Sequence, residues 1–212
     1  VMLRFLIMNR MLLKRIVLLL FLLVPILWVA KESFSTSPNF NFDTQSHHLI
    51  IRIDPSQHFL KGEDQLIVQF NGKKAQILSF LLHPKLKIIR IVDIKTGKPL
   101  HWVETSFSAH AKRLDVSVKK GDSSPFLSIS YGGHIYDPVV KERALQFVKG
   151  DQTSGLISPE GVFLSSSSHW FPDRPNSMAL YNLEISVPAP FRVVTQGELL
   201  FEELKDSHWQ SR

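Results

Sequence analysis

The chain has 212 residues, of which 44% are hydrophobic, 21% charged and 10% aromatic, proportions of a globular protein and not of a disordered tail or a coiled coil. The formal net charge is +6, but setting aside Arg4, Arg10, Lys14 and Arg15 leaves 21 basic against 19 acidic residues, scattered along the chain, which excludes a clustered phosphate-binding surface and hence a nucleic-acid partner. Cysteine is absent, excluding disulfides, zinc thiolates, a thiol nucleophile and a lipidated Cys.

The first element is a run of fifteen uncharged residues, Ile16 to Ala30, preceded directly by Lys14-Arg15. A charged stretch followed by an apolar one is the pattern of an export signal, and residues 1–30 are read as a signal peptide or membrane-anchor helix. Fifteen residues fall short of the roughly 20 that span a hydrocarbon core. Leu12 and Leu13 extend the run only across the basic pair, so membrane contact is assigned to residues 12–30. Trp28 makes cleavage after Ala30 unfavourable, and Ser33-Phe34-Ser35 offers a better small-x-small pair. The positive-inside rule then places everything after Ala30 outside: inner-membrane anchored, periplasmic or extracellular. Met11 is a more natural start than Val1.

Residues 31–46, with Ser, Thr, Pro and Asn around spaced Phe, read as a linker. Residues 47–201 then alternate with the period of strands. His48 to Ile53 ends at Asp54-Pro55. Gln65 to Phe70 is closed by the hairpin signal Asn71-Gly72, with Ala75 to Leu82 as the return strand. Leu86 to Ile94, His101 to Glu104, Arg113 to Val118 and Phe126 to Tyr131 continue the series. Val139 to Val148 fits one or two helical turns. Gly161 to Leu164 leads through Ser165–Ser168 to His169-Trp170-Phe171-Pro172-Asp173, and Ala179 to Val187 and Phe191 to Thr195 form the final strands. Such spacing predicts an all-β fold, an antiparallel β-sandwich or curved sheet, with a core from Ile51, Ile53, Leu66, Val68, Ile129, Tyr131, Leu183 and Ile185. Residues 202–212 read as the start of a truncated continuation.

No catalytic constellation emerges along the chain. His-Glu-x-x-His and its inverse are absent, and His47-His48 point to opposite faces of a strand, where they cannot chelate together. The other seven histidines stand singly in turns or strands. Ser165–Ser168 lacks the glycine frame of a nucleophile elbow, and no phosphate-cradling glycine loop occurs. Asp173 is read as a local ion pair with Arg174.

Several segments in chain order carry a resemblance. His48 to Pro55 with His58, Leu60 and Gly62, then Ile129-Ser130-Tyr131-Gly132-Gly133, then Glu160 to Leu164 with Trp170-Phe171-Pro172, and finally Tyr181 to Pro188 with Val194 to Gly197, resemble the N-terminal β domain of the aminopeptidase N family of zinc metallopeptidases. The resemblance covers about residues 47 to 200 and implies a saddle-shaped β domain without catalytic residues. Zinc, with the Gly-x-Met-Glu-Asn strand and the zinc-binding helix, is expected only in a downstream catalytic domain, so this chain carries no cofactor and no metal ligand. The family often has a Gln-x-Glu element before its Phe-Pro. Here Gly161 falls opposite that Gln, and the adjacent Glu160 is the one candidate substrate-binding residue. The family's Asp-Glu-Pro appears only as Asp173-Arg174-Pro175.

The resemblance implies a non-catalytic N-terminal domain of an exported zinc aminopeptidase-like protein. Its partners are the catalytic domain of the same parent chain and, through it, a peptide substrate whose cleft it helps shape. Two alternatives stand beside it: a stand-alone exported β-sandwich binding module, and a degenerate family member kept for binding.

Overall fold

The computed structural model describes residues 42–70, 76–119, 122, 124–138, 140–141 and 151–212. The expected signal or anchor helix in residues 1–30 and the linker up to residue 41 lie outside the described residues, as do Asn71-Gly72 and most of Val139 to Val148. The described residues belong to one compact unit, Pro38–Arg212.

Strands in chain order are β1 (Phe42–Asp54), β2 (Phe59–Phe70), β3 (Ile77–Leu82), β4 (Leu86–Asp93), β5 (Trp102–Ser106), β6 (Lys112–Ser117) and β7 (Phe126–His134). The short β8 (Val140–Lys141), β9 (Asp151–Gln152), β10 (Gly155–Ser158) and β11 (Gly161–Leu164) follow, then β12 (Leu180–Pro188), β13 (Glu202–Lys205) and β14 (His208–Ser211). A seven-stranded sheet runs β13-β14-β12-β1-β2-β7-β4, and a three-stranded sheet runs β3-β6-β5. β10-β11 and β8-β9 are separate hairpins.

Side chains of the two larger sheets share one core. Leu49, Ile51, Leu66, Ile129 and Ile91 of the large sheet cluster with Leu78, Phe80, Leu82, Leu114 and Val116 of the small one. Phe42 meets Phe80 edge-on at 5.3 Å between ring centroids. Six of the expected core residues are buried, whereas Leu183 and Ile185 are only partly so. Lys112 clamps the sheets: its buried ammonium donates to the Leu86 carbonyl in β4 and to Glu104 at 2.5 Å in β5.

Several expectations need correction. The large sheet is mixed, not antiparallel, because β12 runs parallel to β1 from Ser46↔Leu180 to Arg52↔Ser186. A parallel neighbour requires a long crossover, here supplied by everything between the two strands, and alternation alone carries no strand direction. Next, β3 does not return along β2. It pairs with β6 in the other sheet, because β2 has both flanks occupied by β1 and β7. Five of six β3 residues are buried. Third, Phe191 to Thr195 forms no strand; it follows a turn in which the Phe191 N–H donates to the Pro188 carbonyl at 3.0 Å. Finally, β1 begins at Phe42, inside the expected linker 31–46; residues 202–212 contain the β13-β14 hairpin of the large sheet. Of the expected helical segment, Val140–Lys141 is strand.

Candidate functional site

A bulge sets the interior of the site. The register between β1 and β2 shifts between Thr44 and Ser46, and the extra residue, Gln45, changes the parity of the strand. Phe42 and Thr44 before the bulge, and His47 and Leu49 after it, all face inward. Opposite, β2 alternates without a break, so Leu60, Gly62, Asp64, Leu66 and Val68 are buried in turn. His47 and Asp64 therefore meet inside the core, with Nδ1 and Oδ2 2.7 Å apart and both side chains almost wholly buried. His47-His48 do point to opposite faces; His48 lies on the outer one, 3.2 Å from Glu184.

Aromatic rings seal the pair. Tyr181 stacks on His47 with centroids 5.1 Å apart and planes 3° from parallel, and Phe171 meets the same imidazole edge-on at 5.3 Å. Burial, opposed by the bond to His47, raises the Asp64 carboxyl above its ordinary range. Burial and the neighbouring Asp64 push the Tyr131 phenol well up. Tyr131 stands directly across from Gly62 in the β2-β7 register. A Cβ at Gly62 would lie 2.5 Å from Tyr131 Cζ, so the ring occupies the space that a side chain there would need. Gly133 is similar, since a Cβ there would sit 2.3 Å from the Lys85 carbonyl oxygen. The Leu-x-Gly and Tyr-x-Gly segments are thus two sides of one packing contact. The alternation of Leu66 and Val68, continued back toward Phe59, places Asp64 inward.

Glu160 sits elsewhere. It occupies the two-residue turn Pro159-Glu160 between β10 and β11, where Ser158 pairs with Gly161. The residue is exposed, and the Ser158 hydroxyl holds its carboxyl below the usual range. The hairpin is fastened to the Asp54-Pro55 turn: His58, in the left-handed region at φ 54°, places Nδ1 2.6 Å from the Ile157 carbonyl oxygen. Asp54 in turn accepts the backbone N–H groups of Ser56 and Gln57 at 3.0 and 3.2 Å, which caps the short turn of 3-10 helix begun by Pro55.

Trp170 and Phe171 pack edge-on at 4.8 Å, with Phe171 buried. Two backbone bonds between Leu81 and Asp173, 2.7 and 2.9 Å, pin this loop to β3. The expected Asp173–Arg174 pair does not form. Arg174 reaches Asp43 at 2.8 Å, and Asp173 lies 3.8 Å from His169, because successive side chains diverge along the extended segment.

Sequence reasoning also missed a second polar cluster. Buried His83 places Nε2 3.3 Å from Asp137, whose carboxylate accepts the Ser154 hydroxyl at 2.8 Å; the Lys85 N–H approaches His83 Nδ1 at 3.3 Å. Burial lowers the imidazole pKa, opposed by Asp137. These bonds fasten the segment after β7 to the β3-β4 turn. Among the described residues no three His, Asp or Glu side chains converge as metal ligands, so they do not fit a zinc ion.

No protein-family model matches the chain, and neither does any curated protein. Solved structures do match. An M1 zinc metallopeptidase variant from Deinococcus radiodurans bound to a Tyr-Ser-Ala substrate superposes with a TM-score of 0.57 at 16% identity, covering 84% of this chain and 40% of that one. A two-domain M1 zinc metallopeptidase variant bound to L-arginine gives 0.57 at 14%, over 82% and 39%. Leukotriene A4 hydrolase from Saccharomyces cerevisiae gives 0.55 at 14%, over 86% and 28%. The chain has the fold of the N-terminal β domain of these enzymes and spans at most about 40% of their length.

Proposed function

We propose that this chain is the non-catalytic N-terminal β domain of an exported zinc aminopeptidase-like protein. Its match, over 84% of its own length, to only 40% of a metallopeptidase is the observation that carries the reading. The polar groups of the domain support it. His47 and Asp64 pair inside the core, and His83 and Asp137 fasten a loop. In this reading the parent chain's catalytic domain supplies the zinc and the reaction, and this domain forms part of the wall around the peptide cleft. Glu160, exposed at the tip of a hairpin fixed at its base, is the residue proposed to face that cleft. The apolar run Ile16 to Ala30 supports export and a hold on the membrane.

The parent gene's reading frame tests the proposal. A frame continuing past codon 212 and encoding a His-Glu-x-x-His helix is expected. A stop at that codon overturns the proposal in favour of a stand-alone binding module.

A further inference from the structure

The inner face of β12 is left partly uncovered along most of its length. Leu183 and Ile185 are only half-buried, and Tyr181 is 52% exposed. Beside them runs residues 191–201, a segment without strand or helix, on which Val194 is 96%, Leu199 63% and Leu200 67% exposed. Single exposed apolar side chains are ordinary. Here Val194 and Leu199 border a groove of about 200 Å³ that is also lined by Leu183, Ile185 and Val193.

The register of β14 shows what fills such a groove. β14 pairs antiparallel with β12 from Pro188↔His208 to Ile185↔Ser211 and stops there. From Leu180 to Glu184, that flank of β12 has no strand partner among the described residues. On the other side the Arg212 N–H donates to the Phe201 carbonyl at 2.9 Å, and the Leu200 N–H donates to the Arg212 carbonyl at 2.8 Å. Backbone bonds alternate sides along an antiparallel strand, so the next bonds to β12 belong to the position just beyond Arg212, opposite Leu183. Trp209 and Ser211, opposite Val187 and Ile185, share the inner face, so that position faces inward as well. Ser211 and Arg212 already line the groove.

We propose that the polypeptide directly following Arg212 in the parent chain extends β14 along β12 toward Leu180 and fills this groove with apolar side chains. The inference rests on the reading of the chain as part of a longer protein. A segment tethered at the groove's own wall has a large advantage in effective concentration over any free partner. The exposed β12 flank would otherwise be an edge open to other strands.

The absence of cysteine in the chain makes the test direct. Val194→Cys, Leu199→Cys and, as a control on β4, Ile89→Cys (60% exposed in the native residue) are placed singly in the 212-residue chain and in the parent protein. Both are purified in the same detergent, and thiol labelling at each site is followed by mass spectrometry. In the parent, labelling at 194 and 199 is expected to slow by roughly tenfold or more, as at a site that reacts only on local opening. The control stays fast, and all three sites label rapidly in the 212-residue chain. Equal rates in both proteins overturn the inference. So does concentration-dependent protection in the 212-residue chain, which would make a second copy the occupant. A parent that hydrolyses peptides yet labels freely sinks the groove assignment alone, whereas a reading frame ending at codon 212 removes the proposed function with it.

Discussion

At the scale of single residues, what looks chemically reactive in this chain is mostly structural. Phe171 is the clearest case: it touches His47, Trp170 and Tyr181 while its loop is held by two backbone bonds to Leu81. Phe171→Ala should cost about 3–5 kcal/mol, a large fraction of a marginal domain's stability. Exposed Glu160→Ala should leave denaturant midpoints unchanged, yet weaken substrate binding in the parent enzyme. Equal midpoints for Phe171→Ala and wild type would refute the anchor role; unaltered kinetics for Glu160→Ala would dispose of the cleft role. Gly62→Ala should cost about 1–3 kcal/mol, because the Tyr131 ring leaves no room for a methyl and overpacking forces neighbours off their rotamers.

His83 makes stability depend on pH. Burial holds its folded pKa below the ordinary imidazole value of about 6.5, so folding favours the neutral ring. Its contribution is full above pH about 6.5 and is lost as pH falls from there through the folded pKa. Asp137, held low by Ser154 and His83 against the effect of burial, acts in the same direction at lower pH. Asp64, raised by burial, acts oppositely, its contribution present at low pH and lost as pH rises through its folded value. Denaturant midpoints at pH 7.5 and 5.5 should therefore fall toward acid in wild type, and fall less in His83→Gln. Identical slopes for the two proteins would refute the assignment.

At the scale of elements, strand existence was readable and strand partnership was not. The alternation in β1, β2 and β7 announces each strand, since one face of each is buried. The partners of β3 and β12 depend on which flanks of β1 and β2 are already taken, which no local pattern encodes. Lys61, Glu63 and Asp64 dilute the apolar signal of the first half of β2, which hides the inward carboxylate. β13 and β14 were missed because their turn, Asp206-Ser207, carries no glycine. Both turn residues nevertheless have positive φ, 48° and 60°, as a type I′ hairpin requires. Ser207→Gly should relieve about 1 kcal/mol of left-handed backbone cost and raise the melting temperature by roughly 2–4 °C. A lowered melting temperature would contradict that turn geometry.

At the scale of the whole molecule, the resemblance in the sequence named the fold correctly because its motifs are packing contacts. Asp54-Pro55 caps a turn, Gly62 yields to Tyr131, and Gly133 lets the Lys85 backbone approach. The candidate site was less readable: Glu160 could be named, but not its hairpin, whose β10 strand pairs with β11 and is bridged at Leu156 to Tyr136. The buried pair at its distant core is built from residues in strands that a bulge brings into phase. These features agree with the proposed function, in which the domain shapes a neighbouring domain's site. Aminoacyl-anilide hydrolysis, measured with and without added zinc for the 212-residue chain and for its parent protein, tests this most directly. The account predicts no turnover by the chain under either condition and zinc-dependent turnover by the parent; zinc-dependent turnover by the chain alone, or an inactive zinc-loaded parent, would contradict it.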